Sequence, residues 1–133
     1  MPSHRVRHIS VSISRPFQEV YAFLARPENF PRWASGLGRS FQQLDATEWL
    51  AETPDGAMKV RFSAANAFGV LDHTVVAQDG QAMQNPMRAF PNGDGTEVVF
   101  SLFQRPGMSD EEFARDADWV ARDLQTLKAH LEE

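Results

Sequence analysis

His73 and Asn85 are the side chains of this 133-residue chain whose types and spacing point most directly to chemistry. A strand through Leu71, His73, Val75 and Ala77 puts the imidazole on its more apolar face, because alternate strand residues point the same way. An inward imidazole can titrate near neutral pH as a general acid or base, or anchor a ligand by a hydrogen bond. A histidine satisfied within the wall of the core would leave the same trace. Asn85 joins it through register. If Gln78-Asp79-Gly80 is a three-residue loop with Gly80 left-handed, residue 77 pairs with 81 and His73 falls opposite Asn85. That register groups Leu71, His73 and Val75 with Met83, Asn85 and Met87, whereas a two-residue loop sets them against Gln84, Pro86 and Arg88. Pro86 lacks a ladder donor and marks a bulge that shifts the pairing locally. In a catalytic role His73 would shuttle a proton while Asn85 polarised a carbonyl or enolate oxygen. Asp72, the adjacent strand residue, faces the other side and cannot orient His73.

Apolar candidates surround this pair. Met83 and Met87 supply flexible, polarizable wall. With Phe62, Phe100 and Val120, each on the more apolar face of its element, they are expected to contribute to one internal pocket. Trp33, next to Gly36 and Gly38, would border its mouth, and Leu71 and Phe113 would complete the ligand-binding wall. Every one of these side chains also has an ordinary use as core filling. Arg61 is expected on the outer face, opposite Trp49 if Pro54-Asp55-Gly56 is another three-residue loop. Asp116 and Asp123 flank the apolar stripe of the last helix, where a solvated flank is the ordinary role; Asp116, near Phe113, could also approach the cavity.

Other chemistries lack their residues. The four histidines, His4, His8, His73 and His130, have no compact ligand spacing, and cysteine is absent, so no metal site, cofactor or disulfide is expected. Gly93-Asp94-Gly95 is a turn whose acid would repel phosphate, and no Gly-x-Ser-x-Gly elbow occurs. A net charge of -5 argues against nucleic acid, and Arg5, Arg7 and Arg15 are too few to reverse it. No segment approaches the roughly 18 apolar residues of a membrane span, and Met1 to Ser14 has no signal-peptide core. The expectation is a cytoplasmic protein, monomeric or homodimeric, folded over residues 1–133 as one domain.

The elements that must position these residues follow from the pattern. Ile9, Val11 and Ile13 alternate with Ser10 and Ser12 as a strand. Pro16 suits the first turn of a helix carrying Val20, Phe23 and Leu24, which Pro27 ends; Asn29 then caps a second short helix with Pro31 in its first turn. Between Arg39 and Arg105, short alternating runs separated by turn signals predict consecutive antiparallel hairpins. Ser109 and Glu112 form a capping box, and Phe113, Ala117, Val120, Leu124, Leu127 and Leu131 make one apolar stripe on a helix of roughly residues 109 to 131.

Strand, proline-opened helix, and Asn29-Phe30-Pro31-Arg32-Trp33 resemble the N-terminal signature of the START-like (SRPBCC) superfamily. Phe68-Gly69-Val70-Leu71-Asp72-His73, Asn85-Pro86-Met87-Arg88 and Pro106-Gly107-Met108-Ser109 are similar to members labelled polyketide cyclase/dehydrase-like. The resemblance implies an α+β helix-grip fold, a seven-stranded antiparallel sheet wrapped around a long C-terminal helix, enclosing a cavity. Two functions fit it. One is binding of a hydrophobic small-molecule ligand for sequestration or transport, lipid included. The other is a cyclase or dehydratase acting on a polyketide-like or other apolar carbonyl substrate. The first needs only the cavity, and fold-level analogy does not transfer chemistry.

Overall fold

The computed structural model describes residues 3–35, 40–53 and 56–133. Strand β1 (Val6–Ile13) leads through Pro16 into α1 (Phe17–Leu24) and a 3-10 helix (Pro27–Arg32). Seven further strands follow: β2 (Ser40–Gln43), β3 (Glu48–Thr53), β4 (Gly56–Phe62), β5 (His73–Val76), β6 (Ala82–Asn85), β7 (Met87–Asn92) and β8 (Gly95–Phe103). Helix α2 (Asp110–Glu132) closes the chain. Every ladder is antiparallel.

Two sheets form where one of seven strands was expected: β1-β8-β7 and β2-β3-β4-β5-β6. Pro86 divides them. It is the single residue between β6, which pairs with β5, and β7, which pairs with β8. A proline can accept in a ladder but cannot donate, and its carbonyl takes the Ser101 N–H at 2.9 Å. The run therefore crosses from one sheet to the other there. The sheets stay stitched by a Val70–Arg88 bridge and by the Leu71 N–H, which donates to the Met87 carbonyl at 2.8 Å.

Helix α2 starts at the capping box, with Ser109 Oγ accepting from the Glu112 N–H at 3.1 Å and Glu112 Oε1 from the Ser109 N–H at 3.0 Å. Its Phe113, Ala117, Leu124 and Leu127 are buried, and the helix packs on β1 and β8. Their partners in the core include Val11, Ile13, Val98 and Leu102. The grip is thus made mainly by the three-stranded sheet. The five-stranded sheet leaves a gap toward α2.

Three local expectations change. Pro16 sits at the cap of α1 rather than in its first turn, and its carbonyl accepts from Val20 at 3.1 Å. The second helix begins at Pro27; Asn29 lies inside it and donates to the Phe23 carbonyl at 3.0 Å instead of capping. Thr53 pairs with Gly56, so the β3–β4 link is two residues and not three, and Arg61 faces Glu48, at 3.2 Å, while Trp49 faces Val60. Pro54 and Asp55, like Gly36 and Gly38 beside Trp33, lie outside the described residues.

Candidate functional site

The loop before β5 aims the histidine. Asn66 organises it: Oδ1 accepts from Phe68 and Val70 at 2.9 and 3.0 Å, and Nδ2 donates to the Val70 carbonyl at 2.9 Å. Gly69, at φ +73°, lets this loop touch β7, with the Ala89 N–H donating to the Gly69 carbonyl at 2.9 Å. Asp72 then faces outward. It pairs with Arg88 at 2.9 Å and accepts from the Met87 N–H at 2.8 Å, and that guanidinium holds its carboxyl below the usual range. The next residue of an extended strand must face inward, and His73 does, 4% exposed.

The hairpin brings Asn85 opposite. Gly80 adopts φ +86°, the Ala77 N–H donates to the Gln81 carbonyl at 2.9 Å, and the ladder pairs His73 with Asn85 and Val75 with Met83. The expected register is the one observed. Both residues line a cleft of about 190 Å³ in the gap between α2 and the five-stranded sheet. Phe30, Trp33, Phe100 and Val120 add apolar wall, while Trp119 and Asp123 close it from α2.

The single pocket expected from the sequence is divided. Phe62, Leu71 and Met87 line a separate void of about 20 Å³, room for roughly one water. His73 and Trp33 border both spaces. The cause is ring packing: Phe30 lies 5.2 Å from His73 and 5.3 Å from Phe62, and Phe100 lies 5.8 Å from His73, centroid to centroid, filling the middle of the interior. Met83 leaves the group and lines an outer groove with Arg105, which contacts its sulfur. Phe113 lines none of these spaces and belongs to the core, 2% exposed. Asp116 pairs with Arg105 at 3.6 Å, and it is Asp123 that reaches the cleft. Asp123 had a legible signal, since it lies three positions beyond Val120 and four beyond Trp119, on one side of the helix with each.

Electrostatics define the polar end. His73 Nδ1 stands 3.2 Å from the Leu71 carbonyl, which can only accept, so Nδ1 carries the proton and Nε2 keeps a lone pair. Burial holds its pKa below the ordinary histidine value, keeping the ring neutral. Asp123 Oδ1 accepts from Ser35 Oγ at 2.7 Å and from the Ser35 N–H at 3.3 Å, yet burial dominates and raises the carboxyl's pKa. Asn85 makes no side-chain hydrogen bond among the described residues. No group of three His, Asp or Glu side chains converges to hold a metal among the described residues, and no helix is long and apolar enough to cross a membrane.

The histidine gives a pH prediction. Its folded pKa lies below the unfolded value of about 6.5, so the unfolded chain binds the proton first and stability is lost as pH falls below about 6.5. Urea midpoints should decline from pH 7 to pH 5.5, and His73→Gln should flatten that decline. An equal decline in the variant would place the titrating group elsewhere.

No protein-family model matches the chain, and no curated protein matches it by sequence. Solved structures do match by shape. DynU16, from the dynemicin biosynthetic locus, superposes with a TM-score of 0.73 at 15% identity over 98% of this chain, which spans 48% of DynU16. Ara h 8.0201 superposes with a TM-score of 0.73 at 11% identity, over 97% of this chain and 98% of its own. The Aha1 dimer from Colwellia psychrerythraea also gives 0.73 at 11% identity, over 96% of each chain. Likeness at such identities is likeness of fold: the chain shares with these structures an α+β architecture of antiparallel sheet packed around a long C-terminal helix, the helix grip expected from its sequence.

Proposed function

We propose that the cleft binds a small hydrophobic molecule, for sequestration or transport, with its polar end held by His73 and Asn85. The observation that supports this is their cross-strand pairing on one wall of a cleft whose other walls are mostly aromatic and aliphatic. Its volume, about 190 Å³, suits a ligand built on one ring, since a dry cavity of about 150 Å³ accommodates benzene. Chemically, Nε2 of His73 offers an acceptor to a ligand hydroxyl, and the Asn85 amide can donate or accept. Localisation in the cytoplasm, and a monomer or homodimer, complete the reading.

Catalysis is the second reading, and one observation favours it: a neutral imidazole and a half-buried carboxyl, Asp123, border the same cleft. In it His73 takes a proton from the carbon or hydroxyl beside a substrate carbonyl, and Asn85 donates to the oxygen on which charge develops. A cyclase or dehydratase acting on an apolar carbonyl compound would use those two steps.

The test titrates 2-phenylethanol into the protein and follows the Trp33 and Trp119 indole N–H signals by NMR. His73→Ala and Asn85→Ala should each weaken binding by roughly 1–3 kcal/mol while the far-ultraviolet dichroism stays unchanged, because each removes a polar group that faces the ligand. Equal affinity in wild type and both variants would remove the pair from the site.

A further inference from the structure

We infer that the ligand of this cleft carries an amine, its ammonium seated against Asp123 and among the rings of Trp33, Phe100 and Trp119. The inference rests on the reading of the cleft as a ligand site and specifies the charge of what enters it. Three facts about the polar groups lead there. His73 Nε2 is an acceptor, because Nδ1 donates to Leu71. Asp123 uses Oδ1 for Ser35 and leaves Oδ2 without a hydrogen bond or ion pair among the described residues. No Lys or Arg lines the cleft among the described residues. Arg122, the neighbouring cation on α2, lies over the Trp119 ring at 5.7 Å and lowers the Asp123 pKa only as a minor influence, without forming an ion pair with it.

The lone pairs of His73 Nε2 and Asp123 Oδ2 stay unmatched unless the ligand brings donors. An ammonium brings three, together with the charge that a half-buried carboxylate lacks. Aromatic faces add to this, since a cation near their centres is attracted by the ring quadrupole. A carboxylate ligand meets the opposite conditions: it would face the Asp123 carboxyl, and no Lys or Arg among the described residues lines the cleft to offset the repulsion. The cleft therefore ranks one-ring ligands in the order amine, alcohol, acid.

The experiment compares 2-phenylethylamine, 2-phenylethanol and phenylacetate at pH 7 by the same NMR titration. These probes share one ring and nearly one shape and differ in charge. The amine should bind about tenfold more tightly than the alcohol, and phenylacetate should bind more weakly than both. Asp123→Asn, nearly isosteric and still able to accept from Ser35, should abolish the tenfold preference, so that amine and alcohol bind the variant with similar affinity. Binding of the alcohol with no preference for the amine, or a preference that survives Asp123→Asn, would overturn the amine and leave the ligand cleft standing. Failure of all three probes to shift the indole signals would overturn both.

Discussion

Phe113→Ala should lower unfolding stability by roughly 3–5 kcal/mol, the cost of deleting a buried ring and leaving its cavity. The phenyl group is among the largest fully buried side chains and sits in the first turn of α2, one residue beyond the capping box. It fixes the start of the helix against the core that also holds Ala117, Leu124 and Leu127, and the Arg5 guanidinium covers it at 5.4 Å. A loss of that size is a large part of the roughly 5–15 kcal/mol that keeps a domain folded. Urea denaturation measures it. Because Phe113 borders neither the cleft nor the void beside it, native variant protein should bind 2-phenylethanol like the wild type. An unchanged midpoint with weakened binding would restore the ring to the ligand wall.

Gly69→Ala should cost roughly 2–4 kcal/mol, combining a left-handed backbone with a clash that no rotamer relieves. A Cβ at this position would lie 1.9 Å from the Ala89 carbonyl oxygen, which belongs to backbone. The loop would have to retreat from β7, breaking the Ala89-to-Gly69 hydrogen bond and loosening the segment that presents His73. Gly80→Ala is the matched control. Gly80 has φ +86°, but a methyl group added there would meet nothing within 4 Å, so only the backbone strain of about 1 kcal/mol remains. Similar midpoints for the two variants would show that the close approach to Ala89 carries no weight.

What the sequence disclosed depended on the range of the interaction. The capping box at Ser109 and Glu112, the stripe of α2 and the Gln78-Asp79-Gly80 turn are set by residues within a few positions of each other, and the structure has all three. The His73–Asn85 register followed because turn geometry and apolar alternation selected the same pairing. Pro86 was legible as an irregularity but not as the point where a sheet divides, since that depends on which strand lies on each side. The division of the pocket was hidden for a similar reason: Phe30, Phe62, His73 and Phe100 meet only when four separate elements fold together. Asp123 read as a solvated helix flank because its burial comes from Ser35 and the five-stranded sheet opposite, both remote in the chain.

Helix α2 gives its buried residues to the three-stranded sheet and its Trp119 and Asp123 to the cleft, so one element serves two faces with separate tasks. In evolutionary terms this separates the right to vary from the duty to persist. Positions 75, 85 and 119 can exchange side chains to suit a new small molecule without touching the seam at Leu124 and Leu127. On the reading of the cleft proposed above, a lineage of such proteins can diverge in what the cleft admits while inheriting one scaffold, and a protein engineer can follow the same route, randomising the cleft and leaving the seam fixed.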